Sequence, residues 1–167
     1  MAINSPRELF VNLLGDVRRR EERTAEIFQE ISSAAKDADI KEALDARVFL
    51  KSQILATLDE CFKLMGEMPP NTPEKLHDLF LENFRRELGE IKSAPAKHLY
   101  ILARAKQLIH MRMGEYAALI AMADLSGHYA VGLLLESVFG EKLAFIERAR
   151  RLVRRIVQQE VGSRLAA

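Results

Sequence analysis

A chain of 167 residues with 49% apolar and 29% charged content has room for one hydrophobic core, and its formal charge of +1 is close to balance. That composition excludes a disordered acidic protein, a collagen-like or low-complexity chain, and an all-over nucleic-acid coat. The single Cys61 excludes a disulfide framework and a four-cysteine zinc site; no apolar run is long enough to span a bilayer and residues 1–20 lack the apolar stretch of a signal peptide, so a cytoplasmic location is expected.

No stretch alternates with period two, and apolar residues recur every three to four positions, so the chain reads as all-α. The first helix is expected to start after Asn4 or Ser5, with Pro6 at the first helical position, where a missing N–H costs nothing. Its apolar stripe is Phe10, Leu14, Val17, Thr24, Phe28 and Ile31. A second long helix is predicted from about Asp39 to Met65, with Leu44, Val48, Leu55, Leu58 and Phe62 on its inner side. Gly66, Pro69, Pro70 and Pro73 then break the pattern, and Thr72-Pro73 opens a shorter helix to about Ile91 carrying Leu76, Phe80, Phe84 and Leu88. Ser93 is placed to cap a third long helix to about Leu125, with Leu99, Leu102, Ile109, Met113, Tyr116 and Ile120 facing inward. Gly127 suits the left-handed residue that ends it. The last helix is predicted from about His128 towards Glu160.

Four long helices with short first and last links, and one connection of roughly 30 residues between the second and third, describe a four-helix bundle with a crossover along its length. That is the ferritin-like arrangement, with a short extra helix in the crossover. One unit over residues 1–167 is expected, its core about 6–158 and its last residues, 159–167, frayed.

Two glutamates occupy positions where the helical period calls for a core residue. Glu21 continues Leu14 and Val17 into Thr24 and Phe28, and Glu141 falls among Leu134, Val138, Phe145, Ala149, Leu152 and Ile156. A buried carboxylate is costly unless it is paired, hydrogen-bonded or bound to metal. The bundle form of a metal site takes one Glu from each of two helices and Glu-x-x-His from each of the other two, an oxygen-rich set that suits iron or manganese. Here the one Glu-x-x-His is Glu74 to His77, on the short crossover helix. The second helix offers Val48 to Ser52 without carboxylate or histidine, and the third offers Lys106, Ile109, His110 and Arg112. This inventory points to charge pairing, with Arg18, Arg20, Lys51, Lys106 and Arg112 near the same level. His110 alone is read as a satisfied core histidine.

With these residues in view, the chain resembles the bacterial YciF-like proteins, which are stress-associated and ferritin-like. The opening helix from Glu8-Leu9-Phe10 through Leu13-Leu14 and Asp16 to Glu21 carries the likeness, as do Ala105 to His110 with Tyr116, and Leu133 to Glu136 with Glu141-Lys142. The resemblance runs over roughly residues 6–155. It implies that Glu21, His110 and Glu141 fall on metal-ligand positions of the superfamily, with Glu136 a further candidate. It also implies that Phe49, Ser52, Ile109, Arg112 and Gly140 stand where ligands have been lost. The function so implied is a non-enzymatic, stress-associated structural or interaction protein, expected as a homodimer, with no catalytic residue, cofactor or bound metal. The alternative is a carboxylate-bridged di-iron or di-manganese protein acting as oxidase, peroxidase or metal store.

Two surfaces compete for function. From Lys142 to Arg164 there are seven basic residues and two acids, net +5 against −4 for the rest of the chain. Arg148, Arg151, Arg154 and Arg155 could form a stripe for an anion, a phosphate backbone or an anionic lipid, although no aromatics interleave with them for base stacking. On the third helix Ala103, Gly114, Ala117, Ala118 and Ala121 permit close approach of a helix, inside the bundle or across a dimer. Met65, Met68, Met111, Met113 and Met122 are expected as core filler, and Cys61 as a buried thiol rather than a nucleophile.

Overall fold

The structure is a computed structural model that describes residues 3–70 and 76–165. It contains helices only among those residues: α1 (Pro6–Ala34), α2 (Ala38–Phe49), α3 (Lys51–Met65), α4 (Leu76–Glu90), α5 (Ala94–Leu125) and α6 (Tyr129–Leu165). No helix among them is long and apolar enough to cross a membrane.

Local chemistry sets most of the ends. The Ser5 hydroxyl accepts from the Glu8 N–H at 3.1 Å, the Glu8 carboxylate accepts from the Asn4 N–H at 2.7 Å, and Pro6 follows the cap. Asp37 caps α2 through the N–H groups of Asp39 and Ile40, and Ser93 caps α5 through that of Ala96. Gly66 (φ 67°) and Gly127 (φ 75°) adopt the left-handed conformation just past α3 and α5. Behind each, an N–H reaches back five residues, Glu67 to the Phe62 carbonyl and His128 to that of Ala123.

The expected second long helix is α2 and α3 in sequence, parted at Leu50. The backbone bonds from Leu50 to Ala46 and from Ile54 to Leu50 carry the chain through the joint. The expected start of the crossover helix at Thr72-Pro73 lies outside the described residues. The last helix extends further than expected: residues 159–165 are helical rather than frayed.

The first half of the core joins the C-terminal half of α1 (Ile27, Phe28, Ile31), α2 (Ile40, Leu44), Phe84 of α4, the N-terminal half of α5 and the C-terminal half of α6. The second joins the N-terminal half of α1 (Phe10, Leu14, Val17), α3 (Leu58, Phe62), the C-terminal half of α5 and the N-terminal half of α6. This division makes α1 antiparallel to α5 and α2–α3 antiparallel to α6. The long crossover therefore carries α4 along the bundle, as in a ferritin-like fold. Pro70 begins that crossover against α1 at Gly15, where a Cβ would collide with the proline ring. Between the two apolar clusters lies a polar layer.

Candidate functional site

The mid-bundle layer is built from polar side chains of α1, α2, α5 and α6. Glu21 and Thr24 come from the centre of α1, Arg47 from the end of α2, Arg112 from the middle of α5 and Lys142 from the middle of α6. Arg112 and Lys142 are completely buried, and Glu21 and Arg47 are 4% and 6% exposed. Phe28 and Phe145 meet edge to face at 5.4 Å in the first apolar cluster, and Tyr116, fully buried, belongs to the second. The layer is thus enclosed by apolar packing, where charge is costly unless answered.

Lys142 and Arg112 are each paired with a carboxylate. Lys142 Nζ forms an ion pair with Glu21 Oε1 and lies 4.8 Å from the centre of the Tyr116 ring. Arg112 Nη1 donates to Glu115 Oε2 at 2.7 Å, and Arg20 Nη1 donates to Oε1 of the same carboxylate at 2.7 Å. Arg47 shares with Glu21, Thr24 and Lys51 a crevice of about 10 Å³, little more than one water. Burial pulls Arg47 below its ordinary value against the Glu21 charge. Burial also lowers Lys142 to about 8, although Glu21 opposes it. Tyr116 is pushed well above the usual tyrosine value by burial and by the Glu21 carboxylate. Glu115 is raised by burial despite Arg112 and Arg20. Among the described residues, Arg20, Arg47, Arg112 and Lys142 here stand around the carboxylates of Glu21 and Glu115.

Several expected positions move. Glu141 is exposed and Lys142 takes its place, because the inward stripe of α6 is Val131, Leu135, Val138, Lys142, Phe145, Ala149, Leu152 and Ile156. After Val138 the helix continues inward by a step of four, not three, and a lysine's aliphatic stem supplies the core packing. Glu136, His110 and Gly140 also face solvent, so of the four expected ligand candidates only Glu21 reaches the interior. His110 is therefore not a core histidine. On the second helix Phe49 is 83% exposed and Ser52 is exposed, so neither fills the centre; Arg47 does. Ile109 and Arg112 are buried. His77, in the first turn of α4, is buried, and Glu74 lies outside the described residues. The signal that would have found Lys142 and Arg47 is the apolar stripe itself, which both interrupt at core spacing.

The layer does not fit a divalent cation. Among the described residues no group of three or more His, Cys, Asp or Glu side chains could hold a metal ion. The groups that converge on Glu21 are an ammonium and a guanidinium, which repel a metal and compete for its carboxylate.

Two of the four arginines of the C-terminal stripe are paired with acids at α2. Arg148 Nη2 donates to Glu42 at 2.8 Å, and Arg155 bridges Asp37 at 2.8 Å and Asp39. Arg150 lies 3.8 Å from Glu147, which leaves Arg151 and Arg154 exposed. The small residues of α5, Ala103, Gly114, Ala117, Ala118 and Ala121, are all exposed, so they do not serve packing within the bundle. Of the expected core methionines, Met65 is buried, whereas Met68 and Met111 are exposed. Cys61 is fully buried and burial pushes its thiol up to about 12, which keeps it protonated and inert.

Residues 5–162 match the family described as a domain of unknown function, DUF892. The chain belongs to that family. Its fold recurs in the Escherichia coli stress protein YciF, at a TM-score of 0.86 and 16% identity over 93% of this chain and 99% of that one. YcfI, a candidate structural protein from Rhodopseudomonas palustris, superposes with a TM-score of 0.82 at 22% identity, over 89% of this chain and 94% of YcfI. A protein of Xanthomonas campestris pv. campestris gives 0.72 at 15% identity, over 96% and 99%. No curated protein sequence matches the chain. These structures share the DUF892 chain's bundle, and at such identities they speak for the fold alone.

Proposed function

We propose that this DUF892 protein is a non-enzymatic, stress-associated structural or interaction protein of the cytoplasm, a ferritin-like bundle whose di-metal centre has given way to a buried ionic layer. The observation that carries the reading is the presence of Arg47, Arg112 and Lys142 at mid-bundle, where an oxygen-rich site would need carboxylates. Glu21 is engaged by Lys142, so its charge is already spent on holding the bundle together. The E. coli relative, called a stress protein, and the candidate structural protein from R. palustris support the physiological part.

Such a protein acts through its surface, and we assign that surface to a second copy of the chain. Gly114 lies eleven residues before the end of α5 and Gly140 eleven after the start of α6, so the antiparallel pair brings the two to one level. Both are exposed, and among the described residues nothing beyond their own stretch of helix lies within 4 Å of where their Cβ would stand. Exposed Ala117 and Ala121 accompany Gly114 on α5, and exposed Ala144 accompanies Gly140 on α6.

Elemental analysis of the purified protein, before and after incubation with Fe(II) and Mn(II), tests the central claim. Metal near zero per chain, with unchanged thermal stability, is the expected result. One or two metals per chain, lost in Glu21→Ala, would overturn it and install the di-metal alternative.

A further inference from the structure

Arg47 is a buried cation that the chain leaves without an acceptor. It is 6% exposed, yet its Nε and Nη1 have no hydrogen-bond partner and it forms no ion pair among the described residues. Glu21 supplies the largest opposing charge, but that carboxylate is paired with Lys142 Nζ and acts on Arg47 through space alone. Glu141, which also acts on Arg47 at a distance, is exposed on α6. A guanidinium held in this way carries the cost of desolvation without the hydrogen bonds that ordinarily offset it.

The crevice of about 10 Å³ that Arg47 lines is shaped for a partner. Thr24, 3% exposed, brings to it a hydroxyl that likewise has no hydrogen-bond partner. Half-buried Lys51, four positions after Arg47, brings an ammonium with no ion pair among the described residues. Ala25, Phe28 and Ile54 close the walls. Such a volume admits one particle of about the size of a water molecule. A water there satisfies hydrogen bonds but not charge. With Glu21 engaged by Lys142, the crevice has two further cations, Arg47 and Lys51, and a single negative ion between them gains from both. The Thr24 hydroxyl is an additional donor. The volume excludes phosphate or a carboxylate and selects a monatomic anion.

We propose that this crevice is a halide site, in which chloride accepts from the Arg47 guanidinium and the Thr24 hydroxyl and faces the Lys51 ammonium. The ion completes the ionic layer and ties the stability of the bundle to halide concentration. The site is built on Arg47, Thr24 and Lys51 and not on the fate of any metal ligand, so elemental analysis and a halide titration can fail independently.

Chloride NMR line broadening on titration of the full chain, and anomalous diffraction from crystals soaked in sodium bromide, test the proposal. Saturable broadening with a midpoint below about 0.1 M is expected for an ion held by charge-assisted contacts, with a bromide peak beside Arg47. Arg47→Met should abolish both signals, and Thr24→Val should weaken binding by about tenfold. The double variant Arg151→Glu/Arg154→Glu should change neither. The thermal midpoint of the wild type should also rise relative to that of Arg47→Met as chloride replaces gluconate at constant ionic strength, a difference in which general salt effects cancel. A crevice that holds water and no bromide, broadening that does not saturate by about 0.2 M, equal binding in wild type and Arg47→Met, or loss of binding in the Arg151/Arg154 variant would each overturn the proposal.

Discussion

Lys142 is the residue whose environment departs furthest from its sequence surroundings. Burial holds its ammonium near 8, against an ordinary 10.5, a difference worth about 3 kcal/mol. The sign follows from proton counting. Between about pH 8 and pH 10.5 the unfolded chain holds the proton that the folded chain has released, so stability rises with pH in that window and the penalty is constant below it. Urea unfolding at pH 7 and pH 9.5 should therefore show the wild-type protein gaining about 2 kcal/mol relative to Lys142→Met. Removal of the opposite partner has a different cost. Glu21 answers both Lys142 and Arg47, and without it two buried cations face each other. Glu21→Gln should cost about 3–5 kcal/mol, whereas Lys142→Met, which removes one of the two cations that share Glu21 and leaves it with Arg47, should cost less. Equal losses in the two variants, read from urea midpoints, would show that the two cations do not share Glu21.

At the level of the helices the sequence was largely readable, because caps and breakers act locally. Ser5 with Pro6, Ser93 before Pro95, and Gly127 each behave as their chemistry demands. Register was the weak link. On α6 the period admits either Glu141 or Lys142 after Val138, and hydrophobicity alone favours neither; the choice is made by packing against Glu21 and Tyr116, which lie more than twenty residues away in the chain. The same holds for Arg47 against Phe49, where the joint at Leu50 turns an aromatic ring outward. The arginines of α6 looked like a free basic stripe because their acids, Asp37, Asp39 and Glu42, belong to another helix. A tertiary cause also explains Gly15, which within its helix would be unfavourable by about 1 kcal/mol relative to alanine. It is there for Pro70: Gly15→Ala places a methyl against the proline ring and should destabilise the protein by about 1–3 kcal/mol, measured by urea unfolding, despite the better helix propensity of alanine.

For the molecule as a whole, the interior is closed by packing while one outer face has been kept bare. Gly114 and Gly140 differ from Gly15 in that nothing in the chain needs their missing side chains. In an isolated bundle, Gly114→Ala should then stabilise by about 1 kcal/mol through helix propensity alone. If the α5–α6 face packs against a second copy, the same glycines admit a closer helix approach, and bulk there is penalised in the dimer and not in the monomer. The two effects separate by concentration. Sedimentation of the wild-type protein over a range of dilutions should show a monomer–dimer equilibrium, and Gly114→Glu with Gly140→Glu should shift it fully to monomer while leaving the helical signal intact. Gly114→Ala should raise the thermal midpoint at dilution, where monomer dominates, and weaken association at high concentration. A wild-type chain that sediments as monomer throughout would remove the self-association role.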